Sequence, residues 1–266
     1  MPYQRVNDVN LYYELHGPEQ APVLVLLNGV LMNTTSWALQ TPVLARHYRV
    51  LLHDCRNQGA SDHPPGPCSM SLHARDLAGL LAALEIGDAH VAGISYGGEL
   101  AQRFALDYPG MVGSLFISSA VSEVRPLLRT RIRGWMEALR RHDGELLYRC
   151  SLADNFSEGW LAAHPEWEAA ALPRYRELDF EAVLRLCEAF LAIDWTADLC
   201  RIATPTMVIV GELDTIKPLD PYSRTLAREI PGAQLVILGG AGHACCLETP
   251  AAWNAALLGW LASQPR

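Results

Sequence analysis

The sequence predicts an α/β fold, a mostly parallel central sheet wrapped by helices and interrupted by one helical insertion. Three observations predict it. Short apolar, often β-branched runs recur along the chain; segments with apolar residues three and four apart separate them; and from Ser122 to Asp198 the strand-like runs cease while helical spacing continues.

Taken in order, Val6 to Leu15 alternates around Asn7, Asp8 and Asn10 and reads as an antiparallel edge hairpin. Val23 to Asn28, Val50 to Asp54, His90 to Ser95, Ser114 to Ser119, Met207 to Gly211 and Gln234 to Leu238 are near-continuous apolar runs, the pattern of strands covered on both faces. Helical spacing runs over Leu72 to Leu84, with Ser71 as its cap. It recurs from Gly98 to Tyr108, stopping before Pro109, and over Pro221 to Ile230 and Ala251 to Leu261. Inside the insertion, Ile132, Trp135, Met136 and Leu139 mark one amphipathic face and Phe180, Val183, Leu184, Cys187, Phe190 and Leu191 another. The expected division is a core of residues 1–121 and 199–266 with a helical cap at 122–198.

With 266 residues, half of them apolar and 19% charged, the chain suits one globular domain with a sizeable core. A net charge of −8 gives no electrostatic reason to expect nucleic acid or an anionic membrane as a partner, and favours a small neutral or apolar ligand. Neither a secretory leader nor a membrane-spanning run is apparent, which predicts a cytoplasmic protein. The seven cysteines lack the spacing of a zinc site or a redox motif and read as reduced packing residues; no metal is expected.

The chemistry centres on Gly93-Ile94-Ser95-Tyr96-Gly97-Gly98, placed between an apolar strand and a helical pattern. A serine hydroxyl becomes a useful nucleophile when a sharp strand-to-helix turn exposes it, and the flanking glycines let such a turn pack. The same turn aims the Tyr96 N–H at a developing oxyanion, with the Val30 N–H, in the loop beginning Asn28-Gly29, as its partner. Of nine histidines, His243 alone follows the last strand in a glycine-rich loop, Gly239-Gly240-Ala241-Gly242, able to carry an imidazole over the sheet edge. Asp214, directly after Met207–Gly211, is the candidate to orient that histidine, with Glu212, Asp220 and Glu123 as alternatives. Met32 and Trp37 are candidates for the pocket wall, although apolar residues at that spacing more often belong to a core. Asp54 to Asp62 reads as a self-bonded structural loop, and Cys245 and Cys246 as packing residues.

With these motifs in order, the chain resembles the α/β-hydrolase superfamily from about Ala21 to Leu261. The resemblance implies a nucleophile at Ser95, an acid at Asp214, a base at His243, oxyanion donors at Val30 and Tyr96, a helical cap, and no organic cofactor. RVLLHDCRNQGASDHPPGP, from Arg49, looks like the esterases and enol-lactonases typified by 3-oxoadipate enol-lactonase. Asn28 to Trp37 is similar to the oxyanion loop of 3-hydroxyacyl-carrier-protein transacylases, which admits a carrier-protein or CoA thioester as partner. Many relatives carry His-Gly where this chain has Asn28-Gly29. Relatives with an aspartate nucleophile are disfavoured by the serine at position 95. The expected function is hydrolysis of a small carboxylic ester, lactone or thioester through an acyl-enzyme. Acyl transfer on the same residues, and ligand binding without catalysis, stand as alternatives.

Overall fold

The computed structural model describes residues 3–264. Strands β1 (Tyr3–Val6) and β2 (Val9–His16) form the expected hairpin, closed by Asn7 at φ 52°, a left-handed conformation asparagine tolerates better than most residues. The apolar runs become β3 (Val23–Leu27), β4 (Arg49–His53), β5 (Ala89–Ile94), β6 (Val112–Ser118), β7 (Thr206–Gly211) and β8 (Gln234–Leu238). They lie in one eight-stranded sheet of order β1-β2-β4-β3-β5-β6-β7-β8. β2 pairs antiparallel with β1 and β4; every other neighbouring pair is parallel.

Helices α1 (Thr41–Leu44), α2 (Met70–Ala83) and α3 (Tyr96–Asp107) connect the first parallel strands. Between β6 and β7 come α4 (Pro126–Arg140), α5 (Gly144–Asn155), α6 (Glu158–Ala163), α7 (Trp167–Arg176) and α8 (Phe180–Leu191). The chain ends with α9 (Arg224–Glu229), α10 (Cys245–Glu248) and α11 (Pro250–Ala262). Successive strand residues face opposite ways, so the sheet has two cores. Leu24, Leu26, Phe116 and Ile209 pack with Leu44 of α1 and Trp253 and Leu257 of α11. Val25, Leu27, Leu115 and Ile117 pack with Leu77 of α2 and Phe104 of α3 on the other face.

Strand order reverses at β3. Its chain leaves toward the α1 face, whereas β5 feeds α3 on the opposite face, and two connections diverging from adjacent parallel strands open a crevice at their carboxyl ends. The five-helix segment hangs beside it. Its two ends are held together by a bridge between Glu123 and Asp194 and by the Trp195 amide donating to the Ser122 carbonyl at 2.9 Å. The apolar faces of α4 and α8 pack on each other and continue the second core.

Some expectations shift. α2 is capped by Ser69, whose Oγ accepts from the Leu72 amide at 3.1 Å; Ser71 already lies inside the helix. Helical backbone does resume at Pro221, after the extended Asp220 (φ −102°, ψ 126°) that a following proline favours; Leu219–Ser223 form a wide turn that runs into α9 at Arg224. β8 is the sheet's last strand and is not covered on both faces: Gln234 and Ile237 are exposed. Among the described residues no helix is long and apolar enough to cross a membrane.

Candidate active site

β5 gives way to α3 at Ser95, which adopts φ 53°, ψ −121°. An L-residue at such a φ is strained, and the neighbourhood holds it there. The Ser95 amide donates to the Ser118 carbonyl of β6 at 2.9 Å, and its carbonyl accepts from Gly98 and Glu99 at 2.7 and 3.1 Å. The turn is too tight for side chains on its flanks. A Cβ on Gly93 would stand 2.2 Å from the Gly97 oxygen, and one on Gly97 would stand 2.1 Å from the Leu27 oxygen of β3.

Asp214 follows β7, and its Oδ1 accepts from the amides of Ile216 and Lys217 at 3.0 and 2.8 Å. The turn is close-packed: a Cβ on Gly211 would meet the Gly242 oxygen at 2.1 Å. That contact brings the loop after β8 over the sheet rim, so that His243 Nδ1 lies 2.8 Å from Asp214 Oδ2 and Nε2 lies 3.0 Å from Ser95 Oγ. A carboxylate only accepts. Nδ1 therefore carries the hydrogen, and Nε2 is left to accept a hydrogen bond from the Ser95 hydroxyl. Burial alone would raise the Asp214 carboxyl, but the adjacent His243 ring and the Lys217 amide outweigh it and hold the group below the ordinary carboxylate range.

None of the alternative acids reaches the histidine. Glu212 accepts from the Gly240 amide, Asp220 pairs with Arg224, and Glu123 pairs with Arg125. Among the described residues the Val30 and Tyr96 amides have no acceptor, and both residues border the cavity that contains Ser95 and His243. Met32 borders it too. Trp37, expected beside it, does not: its indole is buried against Trp253 and donates to Asn28 Oδ1 at 2.8 Å, a partner that draws the ring into the core.

The cavity encloses about 240 Å³. Its floor is the Gly29–Met32 loop and the Ser95 turn; the five-helix segment, with Trp135, Phe156, Trp167 and Phe190 beside Arg174, supplies most of the remaining wall. Cys187 and Cys246 also border it, whereas Cys245 is buried near Ser118. The expectation that every cysteine packs inside fails for Cys150 and Cys200, which are exposed. The Asp54 carboxylate takes the amide of Ala60 within its own loop and, beyond it, the amide of Thr34 and the Asn28 side chain, all near 3 Å.

Residues 22–250 match the alpha/beta hydrolase fold family. The chain belongs to that family. It is 31% identical, over 98% of each chain, to a protein of Azorhizobium caulinodans that carries the name carbamate hydrolase RutD. Among solved structures, an enol-lactonase from Burkholderia xenovorans LB400 superposes with a TM-score of 0.91 at 27% identity, covering 98% of this chain and 100% of that one. MGS-M2, an alpha/beta hydrolase enzyme from a Medee basin deep-sea metagenome library, superposes at 0.94 with 27% identity, covering 99% and 98%.

In this alpha/beta hydrolase the asparagine at position 28 has a structural task. It accepts from Trp37 and donates to the His53 carbonyl and the Asp54 carboxylate, each at 3.0 Å or less, locking the loop that carries Val30. Sequence reasoning missed two residues of the site. Lys217 Nζ lies 3.1 Å from Ser95 Oγ and pairs with Glu99 at 2.8 and 3.0 Å. Burial pushes the Glu99 carboxyl up and the Lys217 ammonium down, while their mutual attraction opposes both. The available signal was positional: opposite charges stand four residues after the serine and three after the aspartate, the first inside the buried face of α3.

Proposed function

We propose that this hydrolase cleaves a small carboxylic ester, lactone or thioester through an acyl-enzyme on Ser95. The observation that carries the reading is the unbroken relay of 2.8 and 3.0 Å contacts from Asp214 through His243 to Ser95, ending on the wall of an apolar cavity. His243 Nε2 takes the hydroxyl proton as Oγ bonds the carbonyl carbon, and the carbonyl electrons move onto oxygen. The Val30 and Tyr96 amides receive that oxyanion at the positive end of α3. On collapse the imidazolium gives its proton to the leaving oxygen or sulfur. Water then enters along the same path, His243 accepts its proton, and the acid departs as the proton returns to Oγ.

In this reading residues 122–198 form a cap that selects the acyl group over a core of residues 1–121 and 199–266. Its largely aromatic lining favours an apolar acyl chain, with the Arg174 guanidinium at the same wall, and about 240 Å³ suits a short one. The carbamate and enol-lactone chemistry in the relatives' names supports a carbonyl flanked by a heteroatom leaving group.

Labelling with a fluorophosphonate, followed by a rate profile over esters and thioesters of graded acyl length, tests the proposal. Ser95→Ala is expected to abolish labelling and to lower kcat by about 10⁴-fold or more. Retained turnover in that variant would sink the acyl-enzyme. Ligand binding with no turnover in the wild type would point to a binding protein, and a dominant ester product on adding 3-hydroxy acids would point to acyl transfer.

A further inference from the structure

Behind the nucleophile lies a pair of charges for which the relay above has no use. Lys217 and Glu99 have side chains 3% and 0% exposed, and the Val121 amide fixes Glu99 Oε1 at 2.8 Å. The ammonium also lies 4.7 Å from the centroid of the Phe190 ring. A buried ion pair is a weak source of stability, since desolvation offsets most of its attraction, so folding alone does not account for it. Its position does: the third polar neighbour of the ammonium is Ser95 Oγ, at 3.1 Å.

An ammonium has three hydrogens and no lone pair, so Ser95 accepts from Lys217 and sends its own hydrogen to His243. Around Oγ three directions are then occupied, by Cβ, by the hydrogen to His243 and by the lone pair to Lys217. One lone pair remains for an acyl carbon.

We propose that Lys217, held by Glu99, is a catalytic residue that speeds departure of Ser95 Oγ from the acyl-enzyme. The proposal rests on the acyl-enzyme reading above. In acylation Oγ starts as a hydroxyl that already accepts this hydrogen bond, so the donor gains little as Oγ gives electron density to the carbonyl carbon. In deacylation the density comes back. Water oxygen bonds the acyl carbon, its proton passes to His243, the carbon–Oγ bond breaks, the bonding pair returns to Oγ, and His243 protonates it. Lys217 stays protonated throughout; its hydrogen bond strengthens as negative charge develops on the departing oxygen, which is differential stabilisation of that transition state.

The test is stopped-flow hydrolysis of a p-nitrophenyl ester by Lys217→Met and by Glu99→Gln/Lys217→Met, the second removing both charges together. Deacylation is expected to slow about tenfold to a hundredfold, the usual effect of losing a charged hydrogen bond. The p-nitrophenol burst should rise toward one equivalent per site, and kcat and KM should fall together, leaving kcat/KM within about threefold of wild type. A fall in kcat/KM matching that in kcat, with no acyl-enzyme accumulating, would place the loss in acylation or in the fold and overturn the proposal. Unchanged deacylation would overturn it as well. Ser95→Ala is run alongside: turnover in that variant removes the acyl-enzyme itself, whereas an inactive Ser95→Ala beside a wild-type-like double variant removes Lys217 alone. A wild-type measurement covers the case in which neither lysine variant folds. The ¹⁵N ammonium resonance of Lys217 should move when a fluorophosphonate converts Ser95 Oγ from hydroxyl to phosphonate ester, and an unmoved resonance would overturn the contact.

Discussion

Ser95 occupies a backbone conformation that costs free energy, and the residues that absorb the cost are the ones without side chains. Gly97 is the sharpest case. A methyl there would lie 2.1 Å from a carbonyl of the adjoining strand β3, and backbone cannot yield as a side-chain end can. Gly97→Ala is therefore expected to destabilise the protein by more than about 3 kcal/mol, or to prevent folding, read by urea unfolding; a loss under about 1 kcal/mol would refute the steric argument. At this scale the reading of the sequence depended on whether a residue's task has a local signature. Ser95 and its glycines declare themselves within six positions, and His243 by its glycine loop. Trp37 has no such mark, because its placement is decided by the hydrogen bond to Asn28 nine residues earlier. Lys217 and Glu99 are separated by 118 residues, and their only local mark is their spacing from Asp214 and Ser95.

Among the elements, the short helix α10 sets where the imidazole sits. Glu248, its last residue, accepts from the Gly242 amide at 2.9 Å and from the Ser157 amide and hydroxyl at 3.1 and 2.5 Å. The Ala244 amide donates to the Asn155 carbonyl at 2.8 Å, so of the residues flanking His243, Ala244 is bonded directly to the junction of α5 and α6 and Gly242 through Glu248. Arg131 of α4 adds a bond to the Thr215 carbonyl beside Asp214. Glu248→Ala should cost about 2 kcal/mol through the orphaned donors and lower the melting temperature by several degrees. It should also lower kcat at least about tenfold by loosening His243; a stability loss with unchanged kcat would argue against a positioning role. Element identity was legible because strands and helices leave different apolar periods, and every expected strand is present. Boundaries were less so. The cap of α2 depended on Ser69 being extended, and the entry to α9 on the wide turn Leu219–Ser223, neither of which periodicity reports.

For the molecule as a whole, acid is the expected weakness. Burial is the main reason His53 is held at about 4 and His73 at about 3, against 6.5 for the unperturbed side chain. Between those values the unfolded chain binds protons that the folded one refuses, so stability is complete above about pH 6.5 and declines as pH falls. Each histidine contributes a slope of about 1.4 kcal/mol per pH unit in its window. His53→Leu should remove one such increment between pH 6 and 4.5, measured as the pH dependence of the urea-unfolding free energy; an acid limb as steep as wild type would count against the buried neutral imidazole. The global topology was legible only as a class. That β3 lies between β4 and β5, which opens the crevice, follows from pairings across the sheet and not from any run of residues.

The bonds from Ser157 to Glu248 and from Ala244 to Asn155 tie the five-helix segment to the loop that carries His243. An outward displacement of those helices would therefore be expected to pull the imidazole away from the Ser95 hydroxyl, 3.0 Å from it in this structure.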